Sequence, residues 1–181
     1  RGISNNTLVK MKITEGKEWM PQTGKEENTI QFNYFINNEL INIKYRDGKK
    51  NFKLVKGAEK VFYNIDSTIG HKYVVIVEGE MDALSFIDAG IHSVVSVPNG
   101  ATVTGTNLDY LDSCIDYFEG KEKIILAVDK DEAGENLRQE LIRRLGAEAC
   151  YTVDFGDYKD ANEFLVANGR DMLARLIDNA S

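Results

Sequence analysis

The chain has 181 residues, 43% of them apolar, which suits one domain, or one domain with a smaller appendage, around a real core. Its formal net charge of -7 speaks against a generic nucleic-acid binder, and no run approaches the roughly 20 apolar residues that cross a bilayer, so a soluble, cytoplasmic protein with no membrane partner is expected. Two cysteines, Cys114 and Cys150, with no Cys-x-x-Cys spacing, and two histidines, His71 and His92, leave no disulfide framework and no zinc site.

The opening Arg1-Gly2-Ile3-Ser4 reads as mid-protein sequence, so further domains outside this chain are expected. Residues 1–27 read as an N-terminal helix, with Ser4 as its cap, followed by a linker that ends in the Gly24 loop. Residues 28–66 form a small basic β subdomain: from Thr29 to Lys53 apolar and polar residues alternate, with breaks at Asn37-Asn38 and Asp47-Gly48, two tight-turn signals that predict an antiparallel meander. Between Lys44 and Lys60 seven basic residues stand against Asp47 and Glu59, a local +5 that leaves the remainder at -12. A basic patch beside an acidic body suits an enzyme that grips phosphate with one part and holds metal with the other.

Residues 67–181 change to apolar runs alternating with amphipathic helices. Strands are predicted at 73–77, 93–97, 123–128 and 149–153, and helices at 80–89, 107–118 and 132–145, the last closed by Gly146, with helical pieces from Ala161 onward. The fold class that follows is α/β, a mainly parallel sheet with helices on both faces, preceded by the small antiparallel β subdomain. Ligands of such sheets bind at the carboxyl ends of the strands.

Three acidic clusters fall at those ends. Glu78-Gly79-Glu80-Met81-Asp82 follows the run Val74–Val77, with Gly79 allowing a tight turn or a close approach, while Glu80 reads as an ordinary acidic residue of a helix's first turn. Asp129-Lys130-Asp131-Glu132 follows Ile124–Val128, and alternation turns Asp129 and Asp131 to one side. Lys159-Asp160-Ala161-Asn162-Glu163 opens a helix with Asp160 as N-cap and Glu163 completing a capping box, and brings a third acidic group to the same edge. Asp129, Asp131, Gly134 and Glu140 also match EF-hand spacing, but Ala133, Leu137 and the preceding strand exclude that loop. Oxygen ligands without histidine or cysteine favour magnesium or manganese and imply phosphoryl or nucleotidyl transfer.

Glu78-Gly79 with Asp82, then Asp129-x-Asp131, resembles the Toprim signature of bacterial-type primases, topoisomerases of types IA and II, and some nucleases. With Lys44-Tyr45-Arg46-Asp47, Asn51-Phe52-Lys53, Gly57-Ala58 and Lys159-Asp160-Ala161-Asn162-Glu163, the pattern is most similar to the primase half of phage primase-helicases. The resemblance implies a Toprim-type sheet and a DNA primase that joins ribonucleoside triphosphates on single-stranded DNA. Asp129, Asp131 and Asp160 would hold Mg2+ or Mn2+, Glu78 would be a ligand or the base near the attacking 3'-hydroxyl, and Asp82 would orient the site. Lys44, Arg46, Lys50 and Lys53 would contact nucleotide or template. It also implies zinc-ribbon and helicase domains outside this chain, in a bacterial cell, with phage or mobile-element and host origin both left open. Asn162 stands where many bacterial primases carry another aspartate, whereas the phage-type pattern has asparagine there, which leaves the number of bound metals open. A Toprim nuclease and a non-catalytic, DNA-binding primase-like module of a replicative helicase are the alternatives; a topoisomerase would need a nucleophilic tyrosine on another domain.

Overall fold

The computed structural model describes every residue except 105 and 106. Ser4 opens α1 (Asn5–Lys10) as a cap, its hydroxyl accepting from the Thr7 amide at 3.3 Å. An antiparallel sheet follows in the order β1 (Thr14–Met20), β2 (Lys25–Ile36), β3 (Glu39–Asp47) and β4 (Phe52–Leu54). The β2–β3 connection turns on Asn37 and Asn38 at φ 50° and 63°, the left-handed pair that a two-residue hairpin needs and asparagine tolerates. The next turn is held by the Asp47 carboxylate, which accepts from the Lys49 and Asn51 amides and from the Asn51 side chain, each at 2.9 Å.

β1 departs from the sequence reading, in which residues 14–20 belong to a linker. It is an edge strand, polar along most of its length, so it carries no period-two apolar signal; pairing with β2 from Thr14↔Gln31 to Met20↔Lys25 makes it a strand.

The second sheet is parallel throughout, in the order β6 (Val94–Ser96), β5 (Tyr73–Val77), β7 (Lys123–Leu126), β8 (Cys150–Thr152). Val74 to Val77 are fully buried, as expected of a strand covered on both faces. The helices are α2 (Glu80–Asp88), α3 (Asp109–Cys114, continued by a 3-10 turn to Phe118), α4 (Glu132–Leu145), α5 (Ala161–Asn168) and α6 (Arg170–Asp178). From β5 the chain moves to one side to make β6, then crosses to the other side for β7. The point where the order reverses therefore lies between β5 and β7, where their carboxyl ends leave a crevice.

The two sheets share one core. Phe32 and Tyr34 of β2, Val61 to Tyr63 and Ile65 of the connecting segment, and the strands of the parallel sheet belong to a single buried cluster. Tyr63 packs 5.2 Å from the Tyr34 ring and edge-on to Phe32 at 6.0 Å, while its backbone pairs with Ser96 at the end of β6. Phe62 stands edge-on to Tyr110 at 4.9 Å. Cys114 is buried and Cys150 partly so, both as free thiols. Among the described residues no helix is long and apolar enough to cross a membrane.

Candidate metal centre

The crevice between β5 and β7 gathers the acidic clusters. Carboxylate oxygens of Asp82, Asp129 and Asp160 lie within 4.8 Å of one another, the group best placed to hold a cation among the described residues. Each arrives by a different route. Asp82 sits in the first turn of α2, is 7% exposed, and accepts from the Asn162 amide at 3.0 Å. Asp129 leaves the end of β7. Asp160 caps α5, accepting from the Glu163 amide at 2.9 Å, while Glu163 reaches back to the Lys159 amide at 3.0 Å. The capping reading of this segment holds, and the capping Asp160 also stands beside Asp82 and Asp129. α2, α4 and α5 all begin here, so the positive ends of three helix dipoles meet the carboxylates.

Asp131 and Glu78 stand beside this triad. One Asp131 oxygen caps α4 by accepting from the Gly134 amide at 2.9 Å; the other lies 3.3 Å from the Lys159 ammonium, which is also 3.6 Å from Asp129. The structure brings Asp82 into the triad, although the family resemblance implies an orienting role for it, and leaves Asp131 at the rim.

The electrostatics show an excess of negative charge. Burial, then the charges of Asp129 and Asp131, push Glu78 up to about 8. Asp129 is raised to about 6 by burial and Asp160, with Lys159 opposing. Asp82 is raised well above the carboxylate range by burial, then by Asp160 and Asp129. One oxygen each of Glu78 and Asp129 is buried without a hydrogen-bond partner. Orphaned, repelling oxygens with no nitrogen or sulfur donor fit a hard divalent cation, which would neutralise the charge and use the lone pairs.

Gly134 has a role that the sequence pattern hides. A Cβ at this position would lie 2.0 Å from the Asp129 carbonyl and 2.7 Å from the Glu78 carboxylate, so only glycine lets the start of α4 close over the acids. The one available signal is a glycine in a first helical turn, where alanine is intrinsically better. Gly79, by contrast, has ordinary extended backbone; its use is space, since a Cβ would sit 3.2 Å from Asp82.

Glu80 also departs from expectation. It is 3% exposed, paired with Lys44 at 2.9 Å, and accepts from the Tyr34 hydroxyl; Lys44 donates further to the Pro98 carbonyl at 2.8 Å. This saturated cluster joins the antiparallel sheet to α2 and to the loop after β6. Its consequence corrects the reading of Lys44, which is buried and committed to internal partners instead of facing nucleotide or template. Lys53 lies on the opposite face of the sheet, bonded to Glu18 at 2.8 Å and to the Trp19 carbonyl at 2.6 Å, above the Tyr45 ring. Arg46 shares the face of Lys44 and lines a cavity of about 570 Å³ with Lys17 and Ile30, and Lys50 is exposed in the β3–β4 turn. Neither makes an ion pair among the described residues.

Comparison with known proteins matches residues 75–165 to the Toprim-like family. Over 99% of its length the chain is 34% identical to the primase homolog protein of Arabidopsis thaliana, and over 90% it is 30% identical to the DNA helicase/primase of Enterobacteria phage T3. It spans 57% and 28% of those proteins, respectively. Among solved structures, the primase fragment of the bacteriophage T7 primase-helicase protein superposes with a TM-score of 0.78 at 29% identity, covering 99% of this chain and 71% of that one.

Proposed function

As the chain belongs to the Toprim-like family and resembles the primase half of phage primase-helicases, we propose that it is the RNA-polymerase core of a DNA primase, joining ribonucleoside triphosphates on single-stranded DNA. The observation that carries this reading is the convergence of Asp82, Asp129 and Asp160 within 4.8 Å at the crevice between β5 and β7, flanked by the orphaned oxygens of Glu78 and Asp129.

In this reading Asp82, Asp129 and Asp160 hold Mg2+ or Mn2+, with Asp131 and Glu78 at the margin. The bound cation would neutralise triphosphate charge and favour loss of pyrophosphate. Glu78, fixed at the end of β5, is suited in its ionised form to take the proton of an attacking 3'-hydroxyl, and a cation bound beside it would favour that form over the raised value it has without one. Gly134 keeps α4 close, so the carboxylates stay where they are needed. Positioning does most of the work in such a transfer. Arg46 and Lys50 are the nucleotide or template contacts, since Lys44 and Lys53 are occupied. The face of the antiparallel sheet that carries Arg46 also bears exposed Trp19 and Phe52, a combination of cation and aromatic suited to single-stranded nucleic acid. Zinc-ribbon and helicase domains elsewhere in a longer protein complete the expectation, and the name of the phage T3 relative, a DNA helicase/primase, supports the helicase; the Arabidopsis relative leaves the source of the gene open.

The test is synthesis of labelled dinucleotide from ribonucleotides, single-stranded DNA and magnesium or manganese. Glu78→Gln should lower synthesis at least about 100-fold while leaving single-strand affinity unchanged. Cleavage of DNA without nucleotide would identify a Toprim nuclease instead, and DNA binding without synthesis a non-catalytic module.

A further inference from the structure

The cation set against the acid centre is Lys159. Its ammonium lies 3.3 Å from Asp131 and 3.6 Å from Asp129, the latter a member of the triad. The neighbouring Lys130 turns away, donating to the Gly156 carbonyl and facing Asp154 at 3.7 Å, and Arg138 is paired with Glu135. Lys159 is anchored by its backbone and loose at its tip. Its amide is held by Glu163 at 3.0 Å and its carbonyl accepts from Lys130 at 2.9 Å, whereas its side chain is 52% exposed. A divalent ion bound to Asp129 would therefore meet a like charge that can leave without moving Asp160, the next residue.

We propose that Lys159 and the divalent cation compete for Asp129 and Asp131, and that the displaced ammonium turns into the crevice to bind the phosphates of the incoming nucleotide. The first half concerns only this chain and a metal; the second rests on the primase reading. A four-carbon stem pinned at its base keeps the amine near the crevice, and a phosphate is the anion that such a site would next present. The arrangement keeps the carboxylates partly neutralised and delivers a cation to the substrate in the step that admits the metal.

Manganese titration of the parent chain, Lys159→Ala and Lys159→Arg, all at one pH, tests the first half. Removing one charge at this range should tighten manganese by about tenfold in Lys159→Ala, while Lys159→Arg stays near the parent. Unchanged or weaker manganese binding by Lys159→Ala overturns the competition, as does absence of binding by the parent. With manganese saturating, Lys159→Ala should bind ATP at least several-fold more weakly than the parent and Lys159→Arg should restore it; equal ATP affinity overturns the second half. Tighter manganese in Lys159→Ala, in a chain that makes no primers, would support the competition and remove the primase reading.

Discussion

Two clusters of buried charge lie either side of the first turn of α2, and they are built on opposite plans. At Glu80 one carboxylate meets one ammonium, one tyrosine hydroxyl and, through Lys44, one carbonyl, so the charges are paired and the group is sealed between the sheets, with the neighbouring Tyr63 hydroxyl left without a partner among the described residues. Where Glu78, Asp82, Asp129, Asp131 and Asp160 meet, one half-exposed lysine pairs with only Asp129 and Asp131, and one oxygen each of Glu78 and Asp129 has no partner among the described residues. A saturated buried pair stabilises architecture only as a pair, whereas an unsaturated one is arranged for a cation that the protein does not itself supply. Glu78, Glu80 and Asp82 alternate along five residues, and the side of the chain on which each falls, at the end of β5 or in the first turn of α2, decides which plan it serves.

The sharpest way to break this contrast is to unbalance the sealed cluster. Glu80→Ala strands Lys44 and should cost about 3 to 5 kcal/mol of unfolding free energy, read by denaturant titration. Lys44→Met with Glu80→Met should recover much of that loss. A loss below about 1 kcal/mol in the single variant would mean that Lys44 escapes to water and the joint is weak.

Gly134→Ala should come next. Helix propensity alone would make it stabilising by about 1 kcal/mol, but the Cβ collides with the Asp129 carbonyl, so we expect about 1 to 3 kcal/mol of destabilisation and weaker manganese binding. A rise in melting temperature would show that α4 can shift freely.

Asp129→Asn should move stability the other way. It removes a repelling charge, so without metal the variant should be about 1 kcal/mol more stable than the parent, while manganese no longer raises its melting temperature. Equal manganese stabilisation of parent and variant would dismiss the centre.

The same excess charge sets a pH dependence. Glu78 rises from an ordinary 4.5 to about 8 in the fold. Between those values the unfolded chain has released this proton and the folded chain retains it, so the stability linked to Glu78 is full below about 4.5 and falls as pH rises to about 8. Asp88, lowered to about 2 by Ser4, Thr7 and Arg170 despite its burial, acts below that window and in the opposite sense. Chelated protein should therefore melt at lower temperature as pH rises through the window, and the gain on adding manganese should grow over the same range; a flat profile would mean that Glu78 is ionised throughout.

The smallest effect is expected from Lys53→Ala. Its half-open contacts with Glu18 and the Trp19 carbonyl are worth about 1 kcal/mol or less, and single-strand affinity should stay within about twofold of the parent, whereas Arg46→Ala should weaken it in a salt-dependent way. The reverse ranking would restore Lys53 to the nucleic-acid surface.

Much of this molecule is legible in its residues alone. The run Tyr73–Val77, the helix caps at Ser4 and Asp160, and the Asn37-Asn38 turn are local signals, because strand burial, capping and hairpin geometry depend on residues a few positions apart. The acidic clusters at strand ends are legible for the same reason. Tertiary structure alone decided that β1 is a strand, that Asp82 joins Asp129 and Asp160 while Asp131 stays at the rim, and that Lys44 is spent on Glu80. Lys44 and Glu80 are 36 positions apart, and nothing in the lysine-rich pattern around Lys44 separates a cation that meets solvent from one that meets a buried carboxylate. That choice is made only when the antiparallel sheet docks on α2, because the energy of a charge is set by the dielectric and the partners around it, and neither exists until the two sheets have closed over their common core.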